Sequence, residues 1–179
     1  MGGFRRLARR SVPLLAALFL SGCYFSVEPL IRSTEADLPL ANGARYMHLH
    51  QGDGGWVPLA ATEVHQEGQF YYLGEDENTQ FLLKHGFGPY YIATQRGPKG
   101  YAYDLVKIEP DKITVYGFTC EEKARGFIQA GLLRSIIGPP DHPVCLVGSF
   151  DDLVKVFRKL VAQGAEPGDI YYPLDAPEH

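Results

Sequence analysis

Three histidines in the first third of the chain have the type and spacing that metal binding requires. His48 and His50 are separated by one residue, and alternate residues of a strand lie on the same face. His65 follows in a neighbouring predicted strand, and three imidazoles can bind zinc through nitrogens at about 2.0–2.1 Å. The sequence therefore offers His48, His50 and His65 as a candidate metal site. Met47 and Leu49 are expected to face the core, so the histidines lie with Tyr46 on the outer face. The alternative to a metal site is a polar sheet face that carries histidine.

Tyrosines recur along the predicted strands and define a second candidate site. Tyr90, Tyr101 and Tyr103 are candidates for an aromatic face that binds glycan, peptide or lipid. Adjacent tyrosines on a strand point to opposite faces, so only some of the tyrosines can share one patch. The alternative is that aromatic side chains simply suit the pleated surface of a sheet.

No enzyme signature accompanies these residues. The glycine-containing segments at 86–89 and 97–100 lack the P-loop pattern and precede no predicted helix. The chain also contains no Gly-x-Ser-x-Gly nucleophile elbow. We therefore expect no cofactor, and an enzymatic activity stays open.

The first 23 residues carry the most specific motif in the chain. Four arginines between positions 5 and 10 precede an apolar run at 12–20, which is shorter than the roughly 20 residues needed to span a bilayer. This pattern is typical of a signal peptide. The tetrapeptide at 20–23, Leu-Ser-Gly-Cys, resembles the lipobox of bacterial lipoproteins. The resemblance implies that residues 1–22 are removed by signal peptidase II and that Cys23 carries diacylglycerol and an acylated amino group.

A lipid on Cys23 predicts where the protein resides and what it contacts. Two or three acyl chains give stable membrane attachment, and the absence of Asp after Cys23 implies the outer membrane, facing the periplasm, in a Gram-negative cell. Removing the signal takes away four arginines and no acidic residue, so the net charge changes from −4 to −8. Such an acidic domain lacks the electrostatic footprint for nucleic acid. We expect a membrane contact through the anchor and an envelope protein as partner.

The two remaining cysteines, Cys120 and Cys145, are expected to form a disulfide. Cysteines left over in an oxidising compartment usually pair. A bridge that closes a loop of about 25 residues stabilises a protein by roughly 3–4 kcal/mol in the chain-entropy view. The alternative is a reactive Cys120 thiol at a helix N-terminus, which needs His85 or His142 as a base.

Strands are expected to hold these residues in place. Residues 23–43 contain Pro29, Pro39 and Asn42-Gly43, which interrupt any periodic pattern, and are predicted to be a lipid-anchored tether. Residues 44–179 are predicted to form a single domain that begins as an antiparallel meander, since short β-branched and aromatic stretches alternate with turn residues. About seven strands are predicted, at residues 44–50, 56–61, 69–73, 80–85, 90–95, 101–108 and 112–118.

Two helices are predicted after the strands. Thr119 and Glu122 form a capping box for the first helix, which is expected to bury Phe127 and extend towards Ile136. The second helix begins after Ser149, and its apolar residues recur at helical spacing. The predicted fold class is therefore α+β: an antiparallel meander sheet, curved or closed into a partial barrel, followed by two packing helices.

A lipid-anchored envelope lipoprotein that acts as a non-catalytic binding or interaction module is the function we expect from these features. Two alternatives are hydrolases, one dependent on a metal at the three histidines and one on the thiol of Cys120. A third is a lipocalin-like carrier that holds an apolar ligand inside a closed barrel.

Overall fold

The computed structural model describes residues 23–74, 79–120, 123–138 and 143–174, which fold around one twelve-stranded sheet. The signal peptide predicted for residues 1–22 lies outside this part of the chain. The strands are β1 (Tyr24–Ser26), β2 (Arg45–Gly52), β3 (Gly55–Pro58), β4 (Thr62–Glu67), β5 (Phe70–Leu73), β6 (Phe81–Phe87), β7 (Tyr90–Gly97), β8 (Gly100–Glu109), β9 (Lys112–Tyr116), β10 (Ser135–Ile137), β11 (Val144–Leu146) and β12 (Asp169–Pro173). The helices are α1 (Lys123–Gln129), α2 (Phe150–Ala162) and a 3-10 turn at Ser33–Glu35.

Eight of these strands form a closed barrel. They follow one another in the order β8-β7-β6-β5-β4-β2-β12-β9, and β9 pairs back onto β8. All eight pairings are antiparallel. The predicted α+β class with a curved or closed antiparallel sheet is confirmed.

The interior of the barrel forms the first hydrophobic core. The register places Val64, Leu83, Val106 and Val115 on the inner face of their strands, and all four are buried. A cavity of about 60 Å³ is left between them. An eight-stranded barrel is just wide enough for its own side chains to fill it, which explains why so little space remains.

A second core lies between the outer wall of the barrel and α2. Ser149 caps this helix, because its hydroxyl accepts a hydrogen bond from the amide of Asp152. Leu153, Val156 and Phe157 share one face of the helix and are fully buried. They pack against wall residues that point outward from β7 and β8, together with the Cys120–Cys145 pair.

The N-terminal segment does not form the tether predicted for residues 23–43. Tyr24–Ser26 is β1, which pairs antiparallel with β8 and parallel with β11. Ile31 and Leu40 are buried, and the backbone amide of Leu40 donates to the hydroxyl of Tyr71 inside the barrel. Apart from β1 and the 3-10 turn the segment is irregular, yet it buries apolar side chains against the rest of the fold.

The first helix is shorter than predicted. α1 ends at Gln129, and Gly131 follows with a φ of 71°, a conformation that suits glycine and stops a helix. Ile136, predicted at the end of this helix, lies instead in β10. Glu122 of the predicted capping box lies outside the described residues. Within the described part of the chain, neither helix is long and apolar enough to cross a bilayer.

Candidate functional site at the mouth of the barrel

A carboxylate and two histidines meet at one end of the barrel. Asp169 begins β12, and the register places it beside His50 of β2 and, further in, Tyr171 beside His48. One oxygen of Asp169, Oδ1, lies 2.7 Å from Nε2 of His48 and 2.9 Å from Nδ1 of His50. The ring of Tyr171 stacks on His48 with 4.4 Å between the centroids. We call His48, His50, Asp169 and Tyr171 the mouth cluster.

The members of the mouth cluster differ in burial, and the two histidines keep its acid ionised. The side chain of His48 is buried, whereas that of His50 is 45% exposed. Burial acts to raise the pKa of Asp169, but the hydrogen bonds and charges of the two histidines outweigh it, so the pKa lies below the usual value. Asp169 is therefore an ionised acceptor that orients both imidazoles. Burial, followed by the nearby carboxylates, raises the pKa of Tyr171, so its hydroxyl stays protonated.

A second acid, Asp104 of β8, lines the cavity inside the barrel. Burial, and then the charge of Asp169, raises its pKa to about 7. Its Oδ1 is buried and has no hydrogen-bond partner among the described residues. A buried carboxyl oxygen without a hydrogen bond lowers the stability of a fold, and such groups are over-represented at functional sites. Asp104 therefore belongs to the candidate site.

The predicted zinc site of three histidines does not form. His48 and His50 converge on Asp169, but His65 lies on β4, where its Nδ1 is 3.6 Å from Glu63. Within residues 23–74, 79–120, 123–138 and 143–174, no three His, Cys, Asp or Glu side chains are grouped so that they could hold a metal ion. The predicted orientation of β2 is also reversed: His48 points into the barrel, because Asp169 there satisfies its polar ring.

The predicted disulfide between Cys120 and Cys145 is present, with an S–S distance of 2.05 Å. Both cysteines are buried in the outer core. A bonded Cys120 has no thiolate, so the thiol hydrolase considered from the sequence is ruled out for this form of the protein. The ring of His85, proposed as its base, donates through Nε2 to the carbonyl of Gly88 on the surface, and His142 lies outside the described residues.

The predicted aromatic ligand face of Tyr90, Tyr101 and Tyr103 belongs to the outer core. Tyr103 is fully buried, and its hydroxyl accepts a hydrogen bond from the amide of Leu30 and pairs with the hydroxyl of Ser26. Tyr90 and Tyr101 are half-buried against the same core. Sequence alone could not show that the N-terminal segment and α2 cover this side of the wall.

A hairpin of exposed apolar residues flanks the mouth cluster. β3 pairs with β2 alone among the described strands, and Val57 lies directly beside His50. Val57 and Trp56 are both exposed, and Trp56 is the single tryptophan of the chain. Pro58 ends the strand and has no N–H to offer to a further strand.

Comparison with known proteins adds no assignment: no protein family, curated protein or solved structure matches this sequence. The function must therefore be argued from the residues themselves. Asp104 and Asp169 were both missed in the sequence. One signal could have found Asp104, because it interrupts the apolar alternation of Ala102, Val106 and Ile108 within one predicted strand.

Proposed function

We propose that this chain is a lipid-anchored lipoprotein of the cell envelope whose barrel is a non-catalytic module that binds another envelope protein. The observation that carries the binding role is the exposed pair Trp56 and Val57, which lies beside the mouth cluster on a strand that, among the described strands, pairs with β2 alone. Exposed aromatic and apolar groups next to polar ones are typical of protein interaction sites.

The anchor is supported by the lipobox and by the disulfide. Leu-Ser-Gly-Cys at 20–23 follows a basic segment and a short apolar run, as in lipoprotein signals. The Cys120–Cys145 bridge fits an oxidising compartment outside the cytoplasm.

The side chains of the hairpin, and not its backbone, are the expected recognition elements. Pro58 weakens the edge of β3 as a template for strand addition. Trp56 and Val57 belong to adjacent positions and so point to opposite sides of the strand. A partner that contacts both sides of the hairpin would bury both Trp56 and Val57. It could also form a hydrogen bond with the half-exposed ring of His50.

The barrel interior supports carriage of an apolar ligand less well. Ligand pockets usually measure about 300–1,000 Å³, whereas the cavity here measures about 60 Å³. Asp104 also places an acid in its lining, and an acyl chain or sterol would leave that acid without a partner. We therefore favour the interaction module over the lipocalin-like carrier and over a metal-dependent hydrolase.

Mass spectrometry of the N-terminal peptide tests the anchor. The expected peptide begins at Cys23 and carries the mass of diacylglycerol and one further acyl chain, and Cys23→Ala releases the protein from membranes. An unmodified peptide that still contains residues 1–22, together with unchanged fractionation of Cys23→Ala, would refute the lipoprotein assignment.

Cross-linking of the tagged, lipidated protein in intact envelopes, followed by mass spectrometry of captured proteins, tests the partner. One dominant protein is expected with the wild-type chain. Trp56→Ala should weaken capture by about 30-fold, the effect of losing an interface hot spot of about 2 kcal/mol. Leu174→Ala is the matched control, since both side chains are 41% exposed. Equal capture by wild type and Trp56→Ala would place the interface elsewhere.

A further inference from the structure

Three short strands outside the barrel form a ribbon whose outer face is apolar. β1 lies between β8 and β11, and β11 pairs with β10. Phe25 is opposite Leu146, and Val144 is opposite Ile137. Cys23 precedes the first pair of β1, and its carbonyl accepts a hydrogen bond from the amide of Cys145, which places it next to Val144. Four apolar residues alternate along their strands and so share one side of the ribbon, together with Ser135, which is opposite Leu146: Phe25, Val144, Leu146 and Ile137. We call these four the ribbon face. Cys23, at the end of β1, packs against the outer core.

The opposite side of the ribbon is covered by the fold at β1 and β11, while Ile136 of β10, opposite Cys145, is 37% exposed. Tyr24 and Cys145 point to that side and are buried in the outer core. Phe25, Val144, Leu146 and Ile137, by contrast, belong to neither hydrophobic core of the described residues. Ile137 is 44% exposed, and the other members of the face are half-buried.

The ribbon differs from the rest of the chain in carrying no charged residue. None of the residues of β1, β10 and β11 is charged, and neither is Cys23, although the chain after residue 22 carries a net charge of −8. An acidic surface is repelled by anionic head groups, whereas an uncharged apolar patch can approach a bilayer without that repulsion.

We propose that the ribbon face rests on the membrane surface, so that the barrel is held against the bilayer in one orientation. The inference depends on the proposed lipid at Cys23. Acyl chains attached there enter the bilayer beside the ribbon face, because Cys23 directly precedes β1. Val144 lies on β11, next to β1, and Ile137 lies on β10, the strand beyond it. Both are within reach of the same head-group region.

The barrel relates the ribbon to the proposed binding site. β2, which leads into the Trp56 hairpin, is separated from β8 by β9 and β12 around the barrel. The hairpin therefore belongs to a different wall from the ribbon. The registers place both at the same end of the barrel, since His50 is level with Val106 of β8 and β1 pairs with residues 101–103 of that strand.

Fluorescence quenching by brominated lipids tests the orientation. Lipidated full-length protein is extracted from envelopes and reconstituted into phosphatidylcholine vesicles with or without bromine on the acyl chains. In a Trp56→Phe background, Ile137→Trp provides a probe on the ribbon face. Tyr172→Trp provides a control on β12, since Tyr172 is 40% exposed and Ile137 44%. Circular dichroism and the melting temperature verify that both variants fold.

The expected result is that the Ile137→Trp variant loses emission in brominated vesicles and shows a blue shift, while the emission of the Tyr172→Trp variant is unchanged. Equal quenching of both variants, or of neither, would overturn the orientation. An indole at position 137 that is shielded from aqueous quenchers but not quenched by brominated lipid would also overturn it, since a protein or a second copy would then cover the face. The peptide mass at Cys23 is measured on the same samples, so failure of lipidation is recognised separately from failure of the orientation.

A partition measurement gives an independent readout. A form with a single acyl chain on Cys23 binds vesicles only marginally, so the contribution of the ribbon face becomes measurable. Ile137→Asp should lower its vesicle partitioning by about tenfold, the scale expected from losing the burial of one or two methylene groups. Tyr172→Asp should leave partitioning unchanged, and equal partitioning of all three forms would contradict the proposal.

Discussion

Replacing Asp104 by Asn should change how the stability of the fold depends on pH. The pKa of Asp104 is about 7 in the folded chain, against an ordinary value of 3.8. The unfolded chain therefore releases this proton first, and folding becomes less favourable as the pH rises from about 4 to about 7. Above pH 7 the carboxyl is ionised in both states and its contribution is constant.

The magnitude follows from the two pKa values. The interval between 3.8 and about 7 corresponds to about 4 kcal/mol of lost stability, a large part of the roughly 5–15 kcal/mol typical of a domain. Asn has the same shape but does not titrate. Relative to wild type, Asp104→Asn should gain about 4 kcal/mol of stability between pH 4 and pH 8. Any cost of the buried amide shifts the comparison equally at every pH.

Urea unfolding at 25 °C between pH 4 and pH 8 is the assay, on residues 23–179 with Cys23→Ser. The quantity compared is the difference in free energy of unfolding between wild type and Asp104→Asn at each pH. Asp111→Asn, in the exposed β8–β9 turn, serves as the control and should show no such trend. A difference between Asp104→Asn and wild type that stays flat across the pH range would refute the reasoning, because Asp104 would then ionise as freely in the fold as in water.

Three further substitutions test other parts of the structure. Replacing both bridged cysteines by alanine should lower the free energy of unfolding by about 3–4 kcal/mol, measured in urea, because the bridge closes a span of 25 residues. Gly100→Ala should cost about 2 kcal/mol or more, since its φ is 152° and a Cβ would overlap the carbonyl of Ser26; Gly54→Ala, with open space around it, is the control. His48→Ala should cost about 2–3 kcal/mol by leaving Asp169 with one partner, whereas His50→Ala, at a half-exposed position, should cost under about 1 kcal/mol.

Local patterns were enough to predict the meander, α2 and the disulfide. α2 was predictable because a cap at Ser149 and a helical apolar repeat agree, and each acts within a few residues. β4 was anticipated only through His65 and was not among the seven strands given bounds, because Thr62–Glu67 is mostly polar and has little apolar alternation. β1 was missed because a strand of three residues has no periodicity to detect.

The mouth cluster was only half visible in the sequence. His48 and His50 were recognisable as a pair, but their partner Asp169 lies 119 residues beyond His50. Only closure of the barrel brings them together, and closure depends on pairing between distant strands. The buried state of Asp104 likewise depends on strands on both sides of it. Sequence patterns report neighbours along the chain, so they identified the strands but not which side chains would face each other across the interior.

The position of β12 has a consequence for how the chain reaches its final form. This last strand is inserted between β2 and β9, with Tyr171 opposite both His48 and Ile113. If the polypeptide is threaded through a translocation pore from its N-terminus, β2 and β9 emerge well before residues 169–173. Until β12 arrives, the edges of β2 and β9 that it will cover have no partner strand. Unpaired strand edges can form backbone hydrogen bonds with other chains. In that case the nascent protein would need shielding during transit. Truncation before residue 169 would be more harmful than the small number of lost residues suggests.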